Sequence, residues 1–216
     1  MDPSLHQALK TGIAPLHEYF LQGSILDASK EYLIHRLRGL CDHADSQPEQ
    51  FNDHEMVFML KGGQQQAPFT VHLRHSLLAP ECWHLRYVGV AEMGDKTRQT
   101  LVRTCLDVGV SETIIKFLNE MGFRMEYEFV ARGIFFHKGI MKVTVTKMFK
   151  MNQVNDTKSL EPVSASHLVE VSVVASTSQE QIGEDMKNFA EQLKPLVLLE
   201  KVDHRKLQPV TSQTNT

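Results

Sequence analysis

A change of periodicity at Gly122 constrains the fold of this chain more than any other feature of its sequence. Before Gly122, the apolar residues of 111–121 recur at helical spacing: Ile114, Phe117, Leu118 and Met121. After it, side chains alternate between an apolar face (Phe123, Met125, Tyr127, Phe129, Ala131) and a polar face (Arg124, Glu126, Glu128, Arg132). The sequence therefore predicts a helix that ends at a glycine and leads into a half-buried antiparallel strand.

A second strand with the same alternation follows. Its apolar face carries Met141, Val143 and Val145, and its polar face carries Lys142, Thr144 and Thr146. The turn between the two strands is either Arg132-Gly133 or His137-Lys138-Gly139, and the second is favoured because Gly139 suits a short hairpin. Gly133 would then be a bend that helps the sheet to curl.

The rest of the chain adds further strands, with helices near its two ends. A helix is predicted to start near Asp27 with Leu33, Ile34, Leu37 and Leu40 on one face, and another near Gln179, ended by Pro195. The other predicted strands are Glu55 to Lys61, Phe69 to His75, Trp83 to Gly89, Leu101 to Val108 and Leu168 to Ala175. Because closure removes unpaired edges, we expect an α+β fold with a mostly antiparallel, closed β-barrel and flanking helices.

The predicted organisation is a single barrel domain over residues 19–203. A flexible segment (1–18) precedes it, a mobile loop (151–164) interrupts it, and a disordered tail (204–216) follows it. Residues 42–53 are interpreted as a polar connector, and Asp53-His54-Glu55 at its end as a turn.

The overall composition excludes several classes of protein. A formal net charge of -3 and a pI near 6.4 do not favour binding to a nucleic-acid backbone, and we expect no sequence-specific nucleic-acid binding. Cys41, Cys82 and Cys105 lack the paired spacing of a disulfide framework or a zinc site. No apolar run approaches the length of a bilayer span, so a nuclear or cytosolic protein is expected.

Two groups of charged residues suggest an enzymatic alternative. Glu126 and Glu128 lie two apart on one strand face, where both carboxylates would approach one divalent cation. If the polar strand faces point inward, they would line the barrel with a basic set able to hold a polyphosphate or carry a small anion: His72, Arg74, His84, Arg86, Arg103, Arg124 and Lys142. The alternative function is thus a metal-dependent tri- or polyphosphatase.

The interpretation that we prefer is that these charges form the solvent face of an ordinary antiparallel sheet, because such alternation occurs in any half-exposed sheet. The histidines His72, His75 and His84 have no ligand-like partners nearby in the sequence. No nucleophile elbow or phosphate-binding loop is present. The sequence predicts no catalytic residue, no metal and no cofactor.

Several blocks of sequence resemble one family closely. They are FLQGS (20–24), HRLRGLCD (35–42), DHEMVFMLKG (53–62), WHLRYVG (83–89), EMGDK (92–96), MGFRMEYEFVARG (121–133), KGIMKV (138–143), LVEVSVVA (168–175) and DMKNFAEQLKPLV (185–197). Together they resemble the subunit 18 family of Mediator, the coactivator that links transcription factors to RNA polymerase II, over most of residues 19–203.

The resemblance implies a noncatalytic, nuclear subunit of the Mediator head module. It implies a closed barrel similar to RNA triphosphatase tunnels, a heterodimer with Mediator subunit 20, a docked C-terminal helix of Mediator subunit 8, and direct or indirect association with the RNA polymerase II assembly. The family supplies no site residues for these contacts. From the pattern of the chain alone, the candidate interface residues are the helix-to-strand corner Phe117, Met121 and Phe123, and Phe149 at a strand edge.

Overall fold

Nine strands and three α-helices make up the part of the chain that the structure, a computed structural model, describes: residues 16–42, 47–62, 68–92, 98–176 and 180–202. The strands are β1 Leu16–Leu26, β2 Glu49–Leu60, β3 Phe69–Ser76, β4 Trp83–Val88, β5 Leu101–Val110, β6 Arg124–Lys138, β7 Met141–Met151, β8 Leu160–Pro162 and β9 Ser166–Ala175. The helices are α1 Lys30–Leu40, which follows a 3₁₀ turn at Asp27–Ser29, α2 Ile114–Glu120 and α3 Glu180–Gln192.

The strands form one antiparallel sheet that closes on itself. Its order is β6-β2-β3-β4-β5-β1-β9-β7, and β7 pairs again with β6 to complete a ring of eight strands. The short strand β8 adds to β7 beside the ring. The predicted closed, antiparallel barrel with flanking helices is therefore confirmed.

The apolar side of the barrel wall faces outward, and the helices cover it. Helices α1 and α3 pack on the outer face of β1, β7 and β9 in one core cluster, which includes Leu37, Val143, Val171 and Met186. Helix α2 packs through Leu118 on the outer face of β2 and β3 in a second cluster. Since alternate side chains point to opposite faces of a strand, the polar positions of these strands point into the barrel.

A β-bulge in β6 breaks the alternation that the sequence predicts for Phe123 to Ala131. Val57 pairs with Tyr127, whereas the next residue, Phe58, pairs with Met125, so Glu126 is the extra residue. An extra residue moves all preceding side chains to the other face. The prediction that these residues form one apolar face is therefore wrong. Phe123 and Met125 lie on the outer side with Phe58, whereas Phe129 and Ala131 line the lumen.

The hairpin between β6 and β7 agrees with the prediction. Lys138 pairs with Met141, and Gly139 has a φ of +56°, which places the turn at the favoured of the two positions. Val143 and Val145 are buried in the outer core, and Lys142, Thr144 and Thr146 line the lumen. At Gly133 a Cβ would lie 2.3 Å from the carbonyl oxygen of Val145, so the close approach of β7 requires glycine there.

Some predicted boundaries are wrong. Strand β1 begins at Leu16, inside the predicted flexible segment. Strand β2 begins at Glu49, before the predicted strand start at Glu55, so the predicted turn Asp53-His54-Glu55 lies within a strand. The predicted mobile loop 151–164 contains β8. The helix start after Asp27, the helix stop at Gly122, which has a φ of +93°, and the end of α3 before Pro195 agree with the sequence. The predicted tail 204–216 lies outside the described residues.

None of the helices in the described ranges is both long enough and apolar enough to cross a membrane.

Candidate functional site in the barrel lumen

The lumen is a cavity of about 390 Å³, and nine of the side chains that line it are acidic or basic. Four carboxyl groups face it, from Glu18, Asp53, Glu55 and Glu170, and five basic groups, from His72, Arg74, Arg86, Arg103 and Lys142. They come from seven of the eight strands of the ring, so the barrel brings together residues from the whole length of the chain.

Strand register places acids beside bases. Glu18 of β1 is the direct partner of Arg103 on β5, and Glu55 of β2 is the direct partner of Arg74 on β3. Directly opposite side chains of neighbouring strands lie on the same face, close enough to bond. The alternation that buries apolar side chains under the helices therefore also pairs the charges inside.

Glu18 lies at the centre of the most buried charge cluster. Its side chain is only 3% exposed, and its two oxygens accept hydrogen bonds from Arg86 Nη2 and Arg103 Nε, both at 2.6 Å. Burial alone would raise the pKa of this carboxyl, but the charges of Arg103 and Arg86 outweigh it and hold the pKa below its usual value. Arg103 also lies over the Phe20 ring, 4.4 Å from its centroid.

Arg74 connects two further carboxyl groups. Its Nε donates to Glu55 Oε1 at 2.6 Å and lies 3.6 Å from Asp53 Oδ2. Burial raises the pKa of Asp53 more than the nearby charge of Arg74 lowers it. Arg74 is 41% exposed, so this end of the cluster is open to solvent, whereas Glu18 is sealed.

Glu170 and Lys142 differ from the paired carboxylates and arginines of the lumen, because no oppositely charged side chain of the described residues forms an ion pair with either of them within 4.0 Å. Glu170 Oε2 accepts a hydrogen bond from Gln22 Nε2 at 2.7 Å, and burial raises its pKa. Lys142 Nζ lies over the Phe135 ring, 4.3 Å from its centroid, and burial together with the charge of Arg74 lowers its pKa.

Five of the seven basic residues singled out from the sequence line the lumen: His72, Arg74, Arg86, Arg103 and Lys142. The preferred interpretation, a solvent-exposed polar face, is wrong for these five. The other two are elsewhere: His84 is exposed near the start of β4, and Arg124 donates to the backbone oxygens of Asn119 and Phe123.

The predicted acidic pair does not assemble. Glu126 is the exposed bulge residue, and Glu128 lies on the outer side of β6. Glu128 Oε2 is 2.7 Å from His54 Nε2, and its Oε1 accepts from the backbone N–H of Asn155 at 2.8 Å. Glu128 thus binds the 152–159 turn to the outer side of the barrel wall through this hydrogen bond. The enzymatic alternative that used Glu126 and Glu128 with Arg103, Arg124 and Lys142 is not supported by this geometry.

Sequence reasoning missed the carboxylates that do face the lumen. Asp53 and Glu55 lie two apart on β2, the same spacing that drew attention to Glu126 and Glu128, but they were assigned to a turn. Glu18 was placed in a flexible segment, although it is the first charged residue of β1. A prediction of strands over residues 16–26 and 49–53 would have placed these carboxylates on the polar faces of strands. Within the described ranges, no three His, Cys, Asp or Glu side chains are grouped so as to hold a metal ion.

The four candidate interface residues fall into different environments. Phe117 of α2 and Met121, the residue after this helix, are 55% and 57% exposed, lie four positions apart, and form a small apolar surface. Phe123 is 7% exposed and belongs to the core under α2. Phe149 is half-buried, with Arg132 over its ring at 5.1 Å.

Comparison with known proteins identifies the family. The family model described as Med18 protein matches residues 17–81 and 79–208. A Danio rerio protein named Mediator of RNA polymerase II transcription subunit 18 is 55% identical, covering 91% of this chain and 93% of the relative. This chain belongs to the Med18 family. A Drosophila melanogaster relative of the same name is 47% identical and covers 94% of each chain.

The Med18 fold is also found among solved structures. A chain in the structure of the Schizosaccharomyces pombe Mediator head module superposes with a TM-score of 0.70, covering 86% of this chain and 98% of that chain, at 14% identity. At this identity the likeness concerns the fold alone. The family resemblance predicted from the blocks of sequence is confirmed by the family model and by the relatives.

Proposed function

We propose that this Med18 family member is a noncatalytic structural subunit of Mediator that contributes to assembly of the head module in the nucleus, and through it to RNA polymerase II transcription. The observation that carries the proposal is the family match over nearly all the described residues, with relatives named as Mediator subunit 18. The proposed partners are Mediator subunit 20, as a heterodimer, and the C-terminal helix of Mediator subunit 8.

The geometry of the lumen supports a noncatalytic role. Both oxygens of Glu18 and one oxygen of Glu55 accept short hydrogen bonds from arginines, and Asp53 lies close to Arg74. A carboxylate that already accepts from a guanidinium is a poor ligand or base, since the arginine stabilises its charge and occupies its lone pairs. These groups connect strands of the barrel and so stabilise the wall that the outer surfaces require.

Co-expression tests the proposal. The chain is expressed with subunit 20 and the C-terminal segment of subunit 8, and the mixture is analysed by size-exclusion chromatography with light scattering. We expect one species with the mass of a one-to-one-to-one complex. Elution of this chain alone, at concentrations of about 10 μM, would refute the assignment, because stable interfaces of standard size bind far more tightly.

An activity assay on the same preparation separates the proposal from the enzymatic alternative. Tripolyphosphate is incubated with the chain and with Mg²⁺ or Mn²⁺, and released phosphate is measured. No release above the metal-only control is expected. Release that depends on Glu18 and Glu55 would show that the lumen is catalytic.

A further inference from the structure

A groove lies on the outer wall of the barrel where β2, β6 and β7 run side by side. Asn52, Arg132 and Lys147 are cross-strand neighbours there, and they point outward because Ala131, next to Arg132, lines the lumen. The groove has a volume of about 570 Å³. Of the described residues that line it, only Lys30, the first residue of α1, belongs to a helix, so the helices leave this part of the wall open.

The groove is basic, and no acidic side chain of the described residues lines it. Its basic residues are Lys30, Arg132, Lys147 and His167. Asp27, beside the groove, accepts a hydrogen bond from Lys147 Nζ at 2.7 Å and lies 2.9 Å from His167 Nδ1, and Lys30 is 3.7 Å from Glu31. Arg132 is the cation in the groove that has no carboxylate of the described residues within 4.0 Å.

Two contacts fix the guanidinium of Arg132 and leave its outer nitrogens available. Its Nε donates to Asn52 Oδ1 at 3.0 Å, and its central carbon lies 5.1 Å from the centroid of the Phe149 ring. Neither Nη group has an acceptor among the described residues. Two parallel N–H donors on a fixed guanidinium match the two oxygens of a carboxylate, so Arg132 is preorganised for a bidentate bond.

Apolar side chains lie beside this arginine. Phe149, Ile134 and Leu78 line the same groove, and Leu78 is 61% exposed. Arginine and aromatic residues next to each other are the usual anchors of protein interfaces. Because the chain has a formal net charge of -3, the basic groove is a local feature and not the consequence of a basic protein.

We propose that this outer groove docks an acidic segment of a partner protein. A carboxylate of the segment binds the Nη groups of Arg132, and an adjacent apolar side chain packs on Phe149 and Leu78. The volume of the groove suits a few side chains of a peptide. A carboxylate fits better than a phosphate, because Asp27 already neutralises Lys147 and repels a second negative charge of the ligand.

Fluorescence polarisation of the full chain with a labelled synthetic peptide of alternating aspartate and leucine tests the proposal. The peptide is expected to bind with a Kd below about 1 mM. Arg132→Gln is expected to weaken binding about tenfold, and Arg132→Lys, which keeps the charge but loses the planar pair of donors, also weakens it. Peptides with asparagine for aspartate, or with serine for leucine, bind about tenfold more weakly, because each lacks one half of the recognition.

The matched control is Lys150→Gln, which removes an exposed cation on β7 that is paired with Glu161 at 3.0 Å and does not line the groove. It leaves the Kd unchanged, and circular dichroism confirms that each variant is folded. The proposal is overturned if the aspartate–leucine peptide does not bind at about 1 mM, or if folded Arg132→Gln binds it as the natural chain does.

Two other occupants are distinguished by the same materials. Binding of a phosphoserine–leucine peptide without binding of the aspartate–leucine peptide would assign the groove to a phosphorylated segment and overturn the proposal. Self-association of the chain in light scattering that Arg132→Gln abolishes would assign the groove to a second copy, with the same consequence. No Mediator subunit is present in these assays, so their outcome is independent of the test of the proposed function.

Discussion

At the residue scale, the structural role of each charged side chain depends on the side of the barrel wall on which it lies. Glu18 and Glu128 are both buried carboxylates on strands. Glu18 faces the lumen and joins three strands through two arginines, whereas Glu128 faces outward and holds a turn. A carboxylate inside a polar barrel is stabilised only by the cations that the fold brings to it.

Replacing Glu18 with glutamine is expected to lower the free energy of unfolding by about 3 kcal/mol at pH 7, since Arg86 and Arg103 lose their buried counter-charge. Urea unfolding followed by circular dichroism measures the change. The matched control is Glu161→Gln, an exposed carboxylate paired with Lys150, which should change the free energy by less than about 0.5 kcal/mol. Equal effects of the two substitutions would contradict the role of Glu18.

The pH dependence of stability has opposite signs at Glu18 and Glu170. The pKa of Glu18 is lowered by Arg103 and Arg86 against the effect of burial, so its contribution is complete above the ordinary carboxyl pKa and is lost as pH falls below it. Burial raises the pKa of Glu170, so its ionisation costs stability as pH rises through the folded value.

Glu170→Gln should therefore remove the decrease in stability that accompanies rising pH. Glu18→Gln should remove the decrease in stability that accompanies falling pH. Urea midpoints measured between pH 3 and pH 9 separate the two. A natural chain and a Glu170→Gln variant with the same alkaline profile would show that Glu170 has no raised pKa.

At the element scale, one extra residue in β6 and close backbone approaches decide how the strands and helices fit together. The bulge at Glu126 puts Phe123 and Met125 outside, where α2 covers Phe123. Gly23 of β1 allows a second approach: the chain after α3 pairs with β1 through Gln22 and Glu200, and a Cβ on Gly23 would lie 2.2 Å from the carbonyl oxygen of Leu198.

Gly23→Ala is expected to push the segment after α3 away from β1 and to cost about 1–3 kcal/mol of stability, the range for overpacking a close contact. Hydrogen exchange at residues 197–202, read by mass spectrometry, should become faster. Gly109→Ala on β5 is the control, since a Cβ there meets nothing within 4 Å, and it should be neutral or slightly stabilising. Unchanged exchange in Gly23→Ala would mean that the segment tolerates a side chain.

At the scale of the whole molecule, the closed sheet is the reverse of a barrel with a hydrophobic core, because its apolar side chains face outward and its charged side chains face the lumen. The outer wall is apolar and is covered by the chain's own helices, and the lumen is polar. The surfaces left for other proteins are therefore the exposed faces of the covering elements and the part of the wall that they leave open. We propose Phe117 of α2 and Met121, the residue after this helix, as such a surface.

Phe117→Asp and Met121→Asp are each expected to weaken the complex with the proposed Mediator partners by about 1–2 kcal/mol, or roughly tenfold in Kd, while the chain stays folded. Tyr32→Asp is the control, as it replaces an exposed aromatic residue on α1. Phe123→Ala should instead lower the free energy of unfolding by about 3 kcal/mol, since that ring is buried. The surface assignment fails if the two aspartate variants bind with unchanged affinity; biolayer interferometry gives the Kd values.

The sequence by itself determined the helix stop at Gly122, the hairpin around Gly139, the faces of β7 and the antiparallel barrel class. These follow from local periodicity and turn chemistry, which act over a few residues. Only the tertiary structure decided which face of each strand points inward, because alternation is the same for a solvent-facing and a lumen-facing polar row. The site at Glu18, Arg74 and Lys142 exists because ring closure and register bring distant strands together, and no local pattern encodes that meeting.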